Sequence, residues 1–308
     1  MPLPPIERFV LGCGNFGGIG SAPELFGQGE DEPAAFALMY AAWELGIRWF
    51  DTADAYGGGR SETAIGQWLA ATGNEPRLTT KTFNPMDTGQ DSGLNRERVL
   101  RQFASSLDRL GLERIDFYLA HGPDPDTPPT ETIATFERLV ADGLVGAYGV
   151  SNFEAHELEE VIRLGRPALV QNSYSLLDRE AERGVLRICS EHGVGFQAYS
   201  PLAGGWLTGK YRRGEDPPAG SRMTLRPDPY LHLRDEHVFR ALDRLAEVAR
   251  SHDASMAGVA LAWLAADPRV SQIVVGPRRP DHLEPIREAL RIELSAAERD
   301  DLGKEFDL

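Results

Sequence analysis

The sequence is short of cysteine, of positive charge and of long apolar runs, and each shortage removes a class of explanation. Only Cys13 and Cys189 are available for a bridge and no CxxC pair occurs, so no disulfide framework organises the chain, and the usage suits a reducing cytoplasm. Thirty-two Lys and Arg stand against 47 Asp and Glu, a formal charge of −15. Such a surface repels phosphate backbones and anionic headgroups, so neither nucleic acid nor membrane is expected as a partner. Local basic spots still leave room for a nucleotide phosphate. No run approaches the roughly 18 apolar residues of a membrane span, and Met1–Phe9 lacks the apolar stretch of a signal peptide. HxH and HExxH are both missing. Asp51, Asp54, His121, Asp124 and Asp126 are therefore poor metal candidates, and Asp124 and Asp126, flanked by prolines, read as turn residues. No heptad or exposed apolar stripe argues for an oligomer.

What is present is a regular alternation over 308 residues, enough to bury a large core. Short runs rich in Val, Ile, Phe and Tyr read as strands covered on both faces: Phe9–Gly12, Ile47–Asp51, Leu78–Lys81, Phe117–His121, Ala147–Ser151, Ala168–Asn172, Gly195–Ser200 and Gln272–Gly276. Helical patterns lie between them, over Pro33–Leu45, Ser61–Ala71, Asn95–Leu110, Glu131–Asp142, Ala155–Leu164, Arg179–His192 and Ala254–Ala266, with another at Asp281–Leu290. Ser61 with Glu62 reads as a helix start, Gly111 and Gly143 as stops, and Pro33 as a first-turn proline. The apolar stripe Ala260–Leu264 reads as core.

Eight such repeats predict an α/β chain folded as one (β/α)8 TIM barrel spanning residues 1–308, with an open doubly wound sheet as the structural alternative. Pro201–Asp235, rich in Gly, Pro and Arg, interrupts the rhythm after the seventh strand and reads as a long loop over the barrel mouth. Gly12-Cys-Gly-Asn-Phe-Gly17 matches GxGxxG, but a loop follows it where a dinucleotide-binding fold needs a helix.

In a barrel the C-terminal ends of the strands converge on one mouth. Here those ends carry Asp51 and Tyr56, Lys81, His121, Ser151-Asn152, Gln171-Asn172 and Tyr199-Ser200. Any one of them has an ordinary structural explanation, but six consecutive strands ending this way predict a site. Asp51, Tyr56, Lys81 and His121 suit the reduction of a carbonyl, which needs a hydride at carbon and a proton at oxygen. Tyrosine, with a pKa of about 10, is a reluctant acid. An ammonium beside it is expected to lower that value, and a shift of ~2 units is roughly 2.7 kcal/mol of differential interaction. Asp51 would hold Lys81, and His121 would hydrogen-bond the carbonyl oxygen. Phe16, Phe83, Trp206 and Tyr230 are candidates for an apolar substrate pocket or for plain packing.

With these residues in place the sequence resembles the aldo-keto reductase superfamily over nearly its whole length. The matching segments are Phe50-Asp-Thr-Ala-Asp-Ala-Tyr56-Gly, Thr80-Lys81-Thr82, His121-Gly-Pro-Asp-Pro, Gly143 to Phe153, Val170-Gln171-Asn172 and Tyr199 to Tyr211. The Leu-Thr-Gly-Lys run ending at Lys210 looks like the bacterial and potassium-channel-β-like branches. The resemblance implies a carbonyl-reducing oxidoreductase using NADPH, with NADH as the other possibility, and a small-molecule carbonyl substrate. Tyr56 would be its general acid, tuned by Lys81 and Asp51, with His121 orienting the substrate. Ser151, Asn152 and Gln171 would hold the nicotinamide carboxamide, and Tyr199 would stack on its ring. Ser200, Pro201, Leu202, Ala203 and Gly204 would line the pyrophosphate, Lys210 and Arg222 would reach over it, and Asn15 with Phe16 would approach from the first strand. After the eighth strand, Gly276, Arg278, Arg279 and His282 are expected at the adenosine end, the adjacent arginines suiting a 2′-phosphate. The chain departs from the family pattern there: His282 stands where glutamine is usual, and Pro285-Ile286 where a Glu-Asn pair is usual. The rival readings are a slow cofactor-binding regulatory subunit, known as a use of this superfamily, and a metal-dependent barrel hydrolase or lyase.

Overall fold

Each strand of the barrel is brief because its neighbours need only a few ladder bonds before a helix must cross back. The computed structural model describes residues 5–307. Its strands are β1 (Phe9–Gly12), β2 (Trp49–Asp51), β3 (Arg77–Thr82), β4 (Ile115–Ala120), β5 (Val145–Ser151), β6 (Leu169–Ser173), β7 (Gly195–Tyr199) and β8 (Gln272–Val275). All pairings are parallel and sequential, and β1 also pairs with β8, so the sheet closes as a barrel and the open-sheet alternative falls. The crossover helices are α1 (Glu32–Leu45), α2 (Arg60–Thr72), α3 (Arg96–Leu110), α4 (Pro129–Ala141), α5 (Ala155–Leu164) and α6 (Val185–His192). After β7 come the short α7 (Arg222–Leu225), then α8 (Glu236–Ser251) and α9 (Met256–Ala265); α10 (Glu284–Ala289) and α11 (Ala296–Glu305) follow β8.

Several expected boundaries move, each for a local reason. Strand β2 begins at Trp49 rather than Ile47, because the Ile47 amide donates to Ala42 O at 3.0 Å and finishes the end of α1. Strand β7 stops at Tyr199 because Ser200 turns to φ 52°. Ser61 does not cap α2. The helix starts at Arg60 after Gly59, and the Ser61 hydroxyl instead donates to Cys13 O at 2.9 Å and meets Thr52 Oγ1 at 2.8 Å. The expected helix Arg179–His192 is broken at Gly184 into a 3-10 turn, Glu180–Arg183, and α6. Pro285 has no N–H to give, so the helix expected from Asp281 begins only at Glu284, after a 3-10 turn. Besides the short α7, which lies inside the stretch read as a loop, two helices escaped the sequence reading. Helix α8 buries Val238, Ala241, Leu242, Leu245 and Ala249 on one face, and Ser295 with Glu298 forms a capping box that starts α11.

Period-two alternation separates two chemistries within a strand. On β3, Thr80 faces outward and donates to Glu62 of α2 at 2.5 Å, while Lys81 faces the barrel interior and donates to Asp51 at 2.6 Å. Glu62 is fully buried and also accepts from Arg109 Nε at 2.7 Å. The stretch expected to cover the mouth carries 3-10 turns at Ala203–Thr208 and Asp228–Leu233 with α7 between them. It crosses from the β7 end to the β1 and β8 loops, where Arg222 donates to Asn15 Oδ1 at 3.0 Å and Gly220 O accepts from Arg278 at 2.9 Å. No helix among the described residues is long and apolar enough to cross a membrane.

Candidate active site

The barrel register brings the four expected catalytic side chains together. Lys81 is fully buried. Its ammonium donates to Asp51 Oδ1 at 2.6 Å and to Thr52 O at 2.9 Å, and lies 3.4 Å from the Tyr56 hydroxyl. That hydroxyl is also 3.4 Å from His121 Nε2, and the two rings meet edge to face at 5.3 Å between centroids. Tyr56 reaches this point on a turn of unusual backbone: Gly57 sits at φ 59°, and a Cβ there would come within 2.6 Å of Phe16 O. Glycine is required to set the tyrosine against the β1 loop.

Desolvation in the walled mouth raises the Tyr56 pKa, and the nearby Lys81 charge lowers it without overcoming that rise, so the net shift is upward. The downward shift expected from the sequence is corrected in sign: the ammonium offsets only part of the desolvation. Tyr56 is a protonated phenol at neutral pH. The Lys81 pKa is raised, the pull of Asp51 and Tyr56 outweighing burial. His121 is pushed well below its ordinary 6.5, first by burial and then by Lys81. The Asn84 amide nitrogen stands 3.2 Å from His121 Nδ1 and 3.5 Å from Ser21 Oγ. With that amide donating, Nδ1 accepts, and the single ring proton is left on Nε2, facing the Tyr56 hydroxyl. Asn84 is a site residue missed by the sequence reading. Its carbonyl is held by buried Arg98 at 2.7 Å, and Arg98 also donates to Thr82 Oγ1 and Gly93 O.

Behind the pair runs a polar ladder. Gln171 Nε2 donates to Asp51 Oδ2 at 2.7 Å and to Gln197 Oε1; Gln197 Nε2 donates to Gln272 Oε1 at 2.9 Å, and Gln272 Nε2 to Glu7 O at 3.3 Å. The Gln171 amide nitrogen is thus committed to the ladder, leaving its Oε1 for any ligand. Asn152 sits at φ 64°; its Nδ2 donates to His121 O at 2.8 Å and its Oδ1 accepts from Tyr199 Oη at 2.6 Å, with Ser151 Oγ 3.2 Å from the same Nδ2. Of the four non-glycine residues at positive φ among the described residues, three lie here: Asn152, Ser200 and Ala203. Strained backbone concentrates where a site dictates it.

The β7 and β8 loops gather positive charge. Lys210, Arg222 and Arg278 lie close enough that the pKa of Lys210 is lowered by burial and then by the two arginines. Arg222 is lowered by burial, with Arg278 adding to the shift. Gly204 and Gly205 lie beneath: a Cβ at Gly205 would meet Lys210 Nζ at 2.3 Å, and one at Gly204 would meet the Tyr230 ring at 2.6 Å. Pro201, Leu202 and Ala203 form the turn leading into them. Arg278 Nε donates to Glu30 Oε1 at 2.5 Å, and Glu30 Oε2 and Ser221 Oγ are buried without a partner. Glu30, another residue the sequence reading passed over, has its pKa raised by burial against the pull of Arg278. The expected arginine pair divides: Arg279 is exposed and turned to Asp281 at 2.9 Å, away from the other cations. Gly276 and His282 are exposed beside it, His282 Nδ1 accepting from the Arg278 amide at 3.3 Å. Phe16 and Trp206 are core residues, 1% and 2% exposed; Phe83 and Tyr230 are partly exposed at the mouth. Asp124 is a turn residue as expected, accepting from the Leu94 and Asp126 amides. Among the described residues no three His, Cys, Asp or Glu side chains are grouped to hold a metal ion.

Asp54, two residues before Tyr56, is fully buried. Its Oδ1 accepts from the Ala55 amide at 2.6 Å and its Oδ2 has no partner. Burial, then the charge of Glu62, pushes its pKa up to about 7. An unfolded aspartate titrates near 3.9, so between roughly pH 4 and 7 the folded chain holds a proton that the unfolded chain has lost. This group's contribution to stability is complete below that window, falls as pH rises through it, and is constant above. Asp54→Asn is expected to raise the urea midpoint at pH 8 while leaving it close to the parent at pH 4.5. A variant less stable than the parent at pH 8 would contradict this.

Comparison with known proteins agrees with the barrel fold. A probable voltage-gated potassium channel β subunit from Oryza sativa subsp. japonica is 31% identical over 87% of this chain and 85% of its own. The NADH-specific methylglyoxal reductase of Escherichia coli K12 is 30% identical over 94% and 91%. The solved glycerol dehydrogenase of Gluconobacter oxydans superposes with a TM-score of 0.83 at 25% identity, covering 97% of this chain and 90% of that one. The sequence model of the aldo/keto reductase family matches residues 10–304. The chain belongs to the aldo/keto reductase family and is an NAD(P)H-dependent oxidoreductase.

Proposed function

We propose that this protein reduces an aldehyde or ketone to an alcohol with NADPH, and that Tyr56 gives the proton. The observation that carries the reading is the Tyr56 hydroxyl held 3.4 Å from both Lys81 Nζ and His121 Nε2 at the barrel mouth. When bound, the reduced nicotinamide supplies the hydride. Tyr56, protonated at rest, passes its proton to the carbonyl oxygen as negative charge develops there. The buried Lys81 ammonium, fixed by Asp51, stabilises the phenolate left behind. His121, with its proton on Nε2, donates a second hydrogen bond to the same oxygen.

The residues present fit a phosphorylated dinucleotide. Lys210 and Arg222, both held below their ordinary pKa first by burial and then by the cations beside them, stand with Arg278 around two glycines whose side chains would fill the space, a cradle for anionic oxygens. Lys210, Arg222 and Arg278 would hold phosphates, Ser200 to Gly204 would line them, and Asn152 with Ser151 and the free Gln171 Oε1 would meet the carboxamide. Arg278, rather than the outward-facing Arg279, is the group positioned to favour a 2′-phosphate. The two cysteines, both buried and unpaired, suit a cytoplasmic setting. A slow-turnover regulatory role has the channel-β relative in its favour; turnover on a panel of carbonyls separates the two.

Fluorescence titration with NADPH and NADH tests the cofactor assignment. NADPH is expected to bind at least tenfold tighter, with Arg278→Gln weakening NADPH more than NADH. Equal binding of both by the parent would remove the 2′-phosphate assignment, and binding of neither would overturn the proposal.

A further inference from the structure

We propose that the substrate is an anionic carbonyl compound, bearing a phosphate or carboxylate a few bonds from the reacting carbon, and that Arg226 receives that group. The inference rests on the carbonyl-reducing reading above.

Arg226 caps the C-terminal end of α7, and its side chain is exposed. Its Nη1 comes within 3.3 Å of the point where a Cβ on Gly20 would lie. Gly20 belongs to the catalytic surroundings by two bonds. Its carbonyl accepts from the amide of Gly57, the residue after Tyr56, at 3.2 Å. The next residue, Ser21, shares the Asn84 amide with His121. The guanidinium therefore stands over the loop that links the Tyr56 turn to the support of His121. Its charge also acts on Tyr199, whose hydroxyl donates to Asn152 Oδ1 at 2.6 Å. Gly20, at φ 65° and without a side chain, leaves open the space in front of the guanidinium.

The neighbouring arginines are engaged and this one is not. Arg222 is bonded to Asn15, Arg278 to Glu30, and Arg60, the other arginine against this loop, donates to Gly57 O at 2.6 Å. Among the described residues no carboxylate, amide or carbonyl is paired with the Arg226 side chain, in a chain whose acidic residues outnumber its basic ones by 47 to 32. An exposed guanidinium at the mouth, with five donors in a planar fork, suits phosphate or carboxylate oxygens. A neutral aldehyde would leave it solvated and gain nothing from it.

The test compares matched substrates at saturating NADPH and fixed ionic strength: glycolaldehyde against glycolaldehyde phosphate, and benzaldehyde against 4-carboxybenzaldehyde. The first pair reads phosphate and the second carboxylate. In at least one pair kcat/KM is expected to favour the anion by tenfold or more. Arg226→Gln is expected to reduce that ratio at least tenfold, through KM rather than kcat, with Arg226→Lys intermediate. Parent ratios near one in both pairs would overturn the proposal. So would an Arg226→Gln protein that loses both members of a pair equally or binds NADPH more weakly, since Arg226 would then serve the fold or the cofactor. If NADPH binds but no member of either pair is reduced, the carbonyl-reducing reading itself falls, and this inference with it. Reduction of the neutral members with no preference for the anions removes this inference alone.

Discussion

Tyr56→Phe is expected to lower kcat by about 10²- to 10⁴-fold, the range of a lost general acid, while the NADPH dissociation constant stays within a few-fold of the parent. The substitution removes one oxygen and keeps the ring, so the edge-to-face contact with His121 survives and the loss reports on the proton alone. The pH profile supplies a second check. The Tyr56 pKa is raised, so the donor keeps its proton through the neutral range and the alkaline fall in reduction rate lies above pH 10. His121 titrates well below 6.5, so the rate shows no break at the ordinary histidine value. A Tyr56→Phe protein that retained most of its kcat on a good aldehyde would transfer the donor role to His121.

The second large effect concerns the Lys81–Asp51 pair. Both partners are buried, at 0% and 4% side-chain exposure, and their charges meet at 2.6 Å. Lys81→Met leaves the Asp51 carboxylate with no cation beside it, and breaking a buried pair from one side costs about 3–5 kcal/mol. The urea midpoint is expected to fall accordingly, and kcat to fall with it, since the phenolate of Tyr56 loses its stabilising charge. Asp51→Asn combined with Lys81→Met removes the uncompensated charge, and an asparagine oxygen still accepts from Gln171. The double variant should recover much of the stability and none of the turnover. If stability and turnover returned together, Lys81 would be a folding element, with no separate part in the chemistry.

The sequence was legible wherever a rule tied residue order to place. The strand-end rule located Asp51, Lys81, His121 and Asn152 without coordinates, because parallel strands in sequential order must bring their C-terminal ends to one rim. Tyr56 was harder, since its position depends on a glycine turn, yet its motif carried it. What escaped depended on closure. Gln197 and Gln272 look like ordinary strand residues until the barrel shuts and places them in line with Gln171. Glu30 lies far from Arg278 in the chain and meets it only where the β1 loop passes β8. Asn84 resembles any loop asparagine until Arg98 fixes its backbone against His121. The sign of the Tyr56 shift was missed because charge can be read from sequence and desolvation cannot. Ser61 shows the reverse error: a good capping residue was drawn away by a buried carbonyl that only the folded chain presents.

The line of side chains from Asp51 to Gln272 is ordered outward from Gln171, whose amide nitrogen donates to Asp51 on one side and to Gln197 on the other, with Gln197 donating on to Gln272. Replacing one member with an apolar residue would strand donors and acceptors on both sides, so changes along this line are tolerated only in concert. The loops above it, which hold Gly20, Arg226 and Tyr230, are tied to one another at a few separate points, such as Arg222 to Asn15 and Arg278 to Gly220 O. The molecule is thus divided into an interior that must be inherited as a block and a rim that can be exchanged once those few ties are respected. New specificities on this scaffold are to be sought by altering the rim alone.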